Sequence, residues 1–214
     1  MDSTGIKYST LSQGHLELVA ALVSDVFIRQ EPTSVCLNLT WEVFHPFARA
    51  YCGLSCQAGL GVVALEGKTG NIAGAAICLD ILDDVRDVFP DLMSDKYAPK
   101  LPDLAFVASI EGPFIEKLQL IPGQCAYNAQ IAIRPDMQGM GIATALIREA
   151  TERTRSHGFK MISAICTSPA SINAHEKCGF RQEVSQPSAT YKDANGENPY
   201  SHLSDACSLM VLRF

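Results

Sequence analysis

The fold of this chain is decided by two consecutive stretches, Tyr127-Asn-Ala-Gln-Ile-Ala-Ile133 and Arg134-Pro-Asp-Met-Gln-Gly-Met-Gly-Ile-Ala143. The first is largely apolar and predicts a buried strand. The segment that follows the second, Thr144–Arg155, has apolar residues at helical spacing and predicts an amphipathic helix. Gly139 and Gly141 lie at the junction, where the missing Cβ lets a ligand approach the backbone. Because N–H groups at a helix start lack partners, this arrangement predicts a cradle for a phosphate or pyrophosphate.

The spacing of the glycines separates this turn from other phosphate-binding motifs. It is not the GxGxxG of dinucleotide-binding domains, and it lacks the GK[ST] ending of a P-loop. Instead, Gln138-Gly-Met-Gly-Ile-Ala143 fits Q/R-x-x-G-x-G/A, and a helix, a strand and Glu176-Lys-Cys-Gly-Phe180 follow it. In this order the segments resemble the acetyl-coenzyme A motif of the GNAT N-acetyltransferases. The alternative is an ordinary glycine turn between a strand and a helix of an α/β domain.

The resemblance implies a fold and a cofactor site. The fold would be α/β (α+β), with a GNAT-type twisted, mostly antiparallel sheet, helices on both faces and a splayed pair of parallel strands. Acetyl-CoA would be the cosubstrate. Its pantetheine arm and acetyl carbonyl would lie along the backbone of Ile131, Ala132 and Ile133. Its pyrophosphate would be bound by Gln138, Gly139, Met140, Gly141, Ile142, Ala143 and Thr144.

The order of secondary-structure signals independently favours a mixed sheet. The chain begins with a short strand and two helices, Gly14–Arg29 and about Thr40–Leu54, and it ends with two strands. Such an order predicts a partly antiparallel sheet covered by helices on both faces. The segment Asp83–Pro102, with three prolines and mixed charge, is predicted to be an irregular insertion or lid. The next segment, Leu104–Leu118, is predicted to be a helix with an interruption near Gly112.

Length and composition predict one domain over residues 1–214. A domain of this size buries a core large enough to be stable without disulfide bonds or a structural metal. No apolar run reaches the ~20 residues that span a bilayer. The start, Met1-Asp-Ser-Thr-Gly5, lacks the features of a secretory signal. We therefore expect a cytoplasmic protein with no membrane partner. The formal charge of −6, without a run of lysine or arginine, argues against nucleic acid as a partner.

The eight cysteines are predicted to be free thiols, because most lie in apolar segments of a chain without a visible signal sequence. Cys52 and Cys56 lie near His45, a combination that suggests a metal site. A second closely spaced pair is missing, and the helical setting favours packing. We therefore expect no metal.

His175 is a candidate for proton transfer. Acetyl transfer to an amine requires an acceptor for the ammonium proton and a donor for the departing thiolate. His175 stands where many GNAT members have the tyrosine that protonates the thiolate, and a histidine titrating near ~6.5 is suited to either task. The alternative is a surface or capping histidine. The asparagine usual after the preceding strand is replaced by Thr167 and Ser168.

Three short stretches resemble the insect type of arylalkylamine N-acetyltransferases. Phe27–Pro32 is similar to their F-x-x-x-E-P, Cys166–Ser171 to their C-T-S-x-x-S, and Asn198–His202 to their P-x-x-H segment. The resemblance implies that Glu31 is the general base, acting through water. A solvated carboxylate at a helix end is the alternative. The implied helpers are Ser168, Ser171 and His202.

Together these features predict an acetyl-CoA-dependent N-acetyltransferase that acts by direct transfer on a small primary amine, either an arylalkylamine or a polyamine. The alternatives are a protein, peptide or antibiotic N-acetyltransferase, and a non-catalytic acetyl-CoA-binding sensor. Homodimers are common in the family, so a homodimeric partner is also considered. The aromatic residues of the second helix are either core or part of an acceptor wall; they are Trp41, Phe44, Phe47 and Tyr51.

Overall fold

The computed structural model describes residues 5–94, 97, 101 and 103–214. Its strands are β1 (Ile6–Thr10), β2 (Val62–Glu66), β3 (Ile72–Asp80), β4 (Cys125–Ile133), β5 (Met161–Cys166), β6 (Arg181–Pro187) and β7 (Ala206–Arg213). Its α-helices are α1 (Leu16–Gln30), α2 (Pro32–Cys36), α3 (Trp41–Ala58), α4 (Asp103–Leu118), α5 (Ile142–Ser156) and α6 (Pro169–Glu176).

The seven strands form one mixed sheet in the order β1-β2-β3-β4-β5-β7-β6. All neighbouring strands are antiparallel except β4 and β5, which are parallel. The predicted sheet, mostly antiparallel with one parallel pair, is confirmed.

Helices cover both faces of the sheet. Successive residues of β3 alternate between two apolar clusters, as the pleat of a strand requires. Ala75 and Ile77 pack with residues of α1 and α3. Ala76 and Cys78 pack on the opposite face with residues of α5. The two-sided burial explains why β3 is apolar along its length.

Two helices differ from the sequence prediction. Helix α4 continues through Gly112 and Pro113 without the predicted interruption. Ile110 and Phe114, on either side of that pair, are both buried in one apolar cluster, so tertiary packing outweighs local preference. The short helix α2 was not predicted; it begins with a proline at its first position, and Glu31 caps it.

The predicted insertion or lid, residues 83–102, is only partly described. Short 3₁₀ turns occupy Val85–Asp87 and Pro90–Met93, while residues 95, 96, 98–100 and 102 lie outside the described residues. Val85 and Tyr97 are buried in the cluster that contains α1 and α3. Among the helices described, none has the length and apolarity needed to cross a bilayer.

Gly74 allows β3, β4 and α5 to approach one another closely. A Cβ at this position would lie 2.7 Å from Ile133 Cδ1, 2.9 Å from the carbonyl oxygen of Ala132 and 3.3 Å from Leu146 Cδ1. The carbonyl belongs to the neighbouring strand and cannot rotate away. The glycine therefore sets the spacing between β3, β4 and the helix that follows the glycine turn.

We expect Gly74→Ala to lower the free energy of unfolding by about 1–3 kcal/mol, because the new methyl group overpacks the sheet. The control is Gly53→Ala in α3, where an added Cβ meets nothing within 4 Å. Replacing a glycine inside a helix stabilises it by roughly 0.5–1 kcal/mol. Urea unfolding of both variants measures the difference. Equal stability of the wild type and Gly74→Ala would contradict the role of Gly74.

Candidate active site

The candidate site lies where the two parallel strands separate. β4 and β5 pair only at Cys125–Tyr127 and Met161–Ser163. Beyond that point β4 remains paired with β3, and β5 remains paired with β7. The register shift between β3 and β4 leaves Ala129 as an extra residue in β4, a bulge at the start of the gap. The facing edges of β4 and β5 therefore have backbone groups available to a ligand.

A cavity of about 250 Å³ opens at this gap. Its walls come from α1, α2, α3, α4, β4, β5 and the beginning of α6. The aromatic residues that line it are Phe27, Phe44, Phe47, Tyr51 and Tyr127. Three of the four aromatic residues considered for an acceptor wall are thus at the cavity. The fourth, Trp41, is not among the lining residues and stacks on His45 instead.

Glu31 lines the cavity, and each of its carboxylate oxygens accepts two hydrogen bonds. Oε1 accepts from the Thr33 N–H at 3.1 Å and from Thr167 Oγ1 at 2.8 Å. Oε2 accepts from the Ser34 N–H and from Thr33 Oγ1, both at 2.7 Å. The carboxylate thus caps α2 and connects it to the end of β5. The four donors match the approximately four lone-pair positions of a carboxylate.

Ser168 and Ser171 also line the cavity, next to Thr167. Ser168 caps α6, because its Oγ accepts the Ser171 N–H at 3.2 Å. The structure therefore brings Glu31, Ser168 and Ser171 to one end of the cavity.

His175 lies behind this end of the cavity, 2% exposed and not among the lining residues. Its Nδ1 is 2.9 Å from the Ser171 carbonyl, which only accepts, so Nδ1 carries the proton and donates. Nε2 then accepts from Asn128 Nδ2 at 3.3 Å. Burial lowers the pKa of His175 to about 4. The imidazole is therefore neutral at pH 7, with both nitrogens engaged.

His202 lies on an exposed turn between β6 and β7 and does not line the cavity. The structure does not bring it to Glu31. The position of His202 relative to Glu31 could not be predicted from the sequence, because residues 191–205 form an irregular loop without a helical or strand pattern.

The glycine turn and the start of α5 have the geometry of an anion cradle. Gly139 and Gly141 have φ of 78° and 80°, in the left-handed region, and a Cβ at either would meet nothing within 4 Å. In the part of the chain that the structure describes, no side chain caps α5. The N–H groups of Ile142, Ala143 and Thr144, in its first turn, are thus available. An open, uncapped helix start fits a pyrophosphate.

The backbone of β4 fits a pantetheine arm. The Arg134 N–H donates to the Ala73 carbonyl of the neighbouring strand. Because bonding alternates along an antiparallel ladder, Ala132 also faces β3, whereas Ile131 and Ile133 face the open edge. Two of the three residues predicted to contact the pantetheine therefore present backbone groups to the gap.

Gln138 connects the cradle to the cavity. Its Nε2 donates to the carbonyl oxygen of Ile133 at 3.2 Å and to Gln30 Oε1 at 2.8 Å. Gln30 is itself a lining residue of the cavity. Met140 is exposed at the turn.

Three polar residues near the cavity were missed by the sequence analysis. Gln130 lines the cavity, and in the described part of the chain its buried Oε1 has no hydrogen-bond partner. Tyr127 also lines the cavity and is within hydrogen-bonding reach of Glu111. Burial raises the pKa of Glu111 to about 8. The available signal was a lone acidic residue on the apolar face of a helix, between Ile110 and Phe114.

The burial of neutral His175 predicts a specific dependence of stability on pH. Its folded-state pKa, about 4, lies below the unfolded value, so the folded state binds the proton less well. The contribution of neutral His175 to the free energy of unfolding is complete above about pH 6.5. It falls by up to about 3 kcal/mol as the pH decreases towards 4. Urea unfolding between pH 7 and pH 4 should show this slope, and His175→Gln should remove it. Exposed His157→Gln is the control, and parallel curves for wild type and His175→Gln would contradict the prediction.

Comparison with known proteins identifies the fold. The chain has a TM-score of 0.81 and 19% identity to a mosquito arylalkylamine N-acetyltransferase-like protein 5b, covering 98% of this chain and 100% of that one. For arylalkylamine N-acetyltransferase 2 from Aedes aegypti the TM-score is 0.75 at 19% identity, with 97% and 98% covered. For a Drosophila melanogaster polyamine N-acetyltransferase that forms N-acetylagmatine, it is 0.76 at 16% identity, with 98% and 100% covered. At these identities the likeness shows a shared fold.

The sequence itself identifies the family. The profile of the acetyltransferase (GNAT) family matches residues 37–180, which include the gap between β4 and β5 and the glycine cradle. This chain belongs to the GNAT family and is an N-acetyltransferase.

Proposed function

We propose that this enzyme transfers the acetyl group of acetyl-CoA directly to a small primary amine. The observation that carries the proposal is the aromatic-lined cavity at the separation of β4 and β5. One end of this cavity meets the edge of β4 that leads to the glycine cradle. A cosubstrate along that edge would present its acetyl group to an amine in the cavity.

In this proposal acetyl-CoA supplies the activated acetyl group, and the chain binds and orients it. Backbone groups of Ile131 and Ile133 hold the pantetheine arm. The first turn of α5 and the turn before it hold the pyrophosphate through N–H groups and the helix dipole. The proposed pyrophosphate set is Gln138, Gly139, Met140, Gly141, Ile142, Ala143 and Thr144. The mechanism invokes no metal.

Glu31 is the proposed acceptor of the ammonium proton, through a water molecule. Two of its four donors are backbone N–H groups, which fix the carboxylate in place. The other two are the hydroxyl groups of Thr33 and Thr167. A hydroxyl hydrogen rotates, so these two bonds can be released to a water molecule without moving the backbone. The carboxylate is therefore both held in position and accessible to a proton.

The other candidate residues take different places in this proposal. Ser168 and Ser171 lie beside Glu31 and are proposed to orient the amine and the departing thiol. His175 is proposed to position Ser171 from outside the cavity, because its ring donates a hydrogen bond to the Ser171 carbonyl. His202 is outside the cavity, and the proposal assigns it no step.

The size and lining of the cavity support a small acceptor. A volume of about 250 Å³ suits an amine of modest size. The aromatic walls offer apolar surface and ring faces that attract an ammonium group. These features favour a small amine over a peptide or an aminoglycoside. All eight cysteines are free thiols, which supports the proposal that the enzyme works in the cytoplasm; a homodimer stays a prediction.

The test is acetylation of an amine panel with acetyl-CoA, followed by mass spectrometry of the products. The panel contains tryptamine, phenethylamine, spermidine, agmatine, an aminoglycoside and a peptide. We expect product from the small amines, because a cavity of about 250 Å³ suits acceptors of that size. Product from the peptide or aminoglycoside alone would contradict the proposed acceptor class. Binding of acetyl-CoA without any product would favour the sensor alternative.

Glu31→Gln tests the proton acceptor. The amide keeps the shape and one acceptor oxygen, so one of the two backbone N–H groups that cap α2 keeps its partner while the charge is lost. We expect kcat to fall by about 10²–10⁴-fold and the Kd for acetyl-CoA to stay unchanged. Glu116→Gln, an exposed glutamate on α4, is the matched control. Undiminished turnover in Glu31→Gln would exclude Glu31 as the base.

A further inference from the structure

Glu111 is a buried carboxyl group that the proposed chemistry does not use. It lies one helical turn after Val107, a lining residue of the cavity. Its Oε1 is buried, and among the residues that the structure describes it has no hydrogen-bond partner. The hydroxyl of Tyr127, which lines the cavity, is within reach of the carboxyl group. A buried carboxyl oxygen without a donor is costly, so a missing donor is expected.

The position of Tyr127 in the cavity indicates which part of an acceptor it meets. In the parallel pairing of β4 with β5, Tyr127 lies opposite Ser163. Thr167, the hydrogen-bond partner of Glu31, lies four residues further along the chain, or about 13 Å in an extended strand. Tyr127 and Thr167 therefore line different parts of the cavity, and Glu111, which does not itself line it, lies next to Tyr127. An amine acetylated near Glu31 would direct its far end towards Tyr127.

The surroundings of Glu111 contain no cation among the described groups that interact with it or with Tyr127. These groups are Tyr127 and Cys125 on β4, Tyr51 on α3 and Cys166 on β5. Burial raises the pKa of Cys125 to about 11 and that of Cys166 to about 12, so both thiols are neutral at pH 7. Burial also raises the pKa of Glu111, to about 8. The carboxyl group is thus mostly neutral until a positive charge approaches it.

We propose that Tyr127 and Glu111 receive a second cationic group of the acceptor, which makes a diamine or a guanidino amine the preferred substrate class. Tyr127 Oη accepts a hydrogen bond from the cation and donates its own hydrogen to Glu111. Glu111 supplies the counter-charge and is a positioning residue, because it acts through Tyr127. The inference rests on the proposed function, since it names the acceptor of the same site.

The first test compares α,ω-diamines with monoamines of the same chain length. In the wild type we expect the second ammonium group to raise kcat/KM by about tenfold or more, through KM, with an optimum chain length. In Glu111→Gln and Tyr127→Phe this ratio should fall to about one. Exposed Glu116→Gln is the control and should keep the ratio. An equal ratio in wild type and Glu111→Gln, or a preference for monoamines such as phenethylamine and tyramine, would overturn the proposal.

The variant Glu111→Gln is expected to remain folded, so a change in its substrate preference can be assigned to the site. Because the folded pKa of Glu111 is raised, its contribution to stability is present below the unfolded pKa and is lost as the pH rises towards 8. Glutamine has no charge to bury. The melting temperature of Glu111→Gln at pH 8 should therefore equal or exceed that of the wild type.

A binding measurement separates this inference from the proposed function. Calorimetry at pH 7 on the protein saturated with CoA requires no turnover, and the probes are 1,5-diaminopentane and pentylamine. The diamine should bind more tightly and release a proton as Glu111 ionises, seen as an enthalpy that depends on the buffer. Glu111→Gln should abolish this release. Tight diamine binding without acetylated product would refute the proposed function alone; binding no tighter than pentylamine would refute the inference alone.

Discussion

The site depends on one constraint, which is that the two parallel strands stay together for only three residues. β4 is held by β3 and β5 by β7, so each strand follows a different antiparallel partner after Tyr127 and Ser163. The bulge at Ala129 increases the divergence. Backbone groups that would complete a sheet are left for a ligand, and the helices above the gap close the cavity. The opening is thus a property of the sheet, and the side chains only line it.

The features that the sequence predicted correctly are local ones. The strand before the turn, the glycine turn at Gly139 and Gly141 and the helix that follows depend on residues close together in the chain. The sheet topology required the resemblance to a family as well as the order of the elements. The break expected in α4 at Pro113 failed because buried neighbours outweighed the local preference.

The contacts missed by the sequence analysis join distant elements. Tyr127 meets Glu111 of α4 and Asn128 meets His175 of α6, because consecutive residues of β4 point to opposite faces of the sheet. A one-residue change of register would reverse those faces. Glu31 was predicted at the site, but its role as the cap of α2 was not, since α2 has no periodic pattern of its own.

The contact between Gln30 and Gln138 has a consequence for the binding of two ligands to the enzyme. It joins a residue that lines the cavity to a residue of the glycine turn before α5. A ligand that takes the Gln138 amide for itself frees Gln30 Oε1, and so alters the rim of the other pocket. Any resulting change in affinity must be mutual. The ligand of the glycine turn and the ligand of the cavity would each change the dissociation constant of the other by the same factor through this single amide pair.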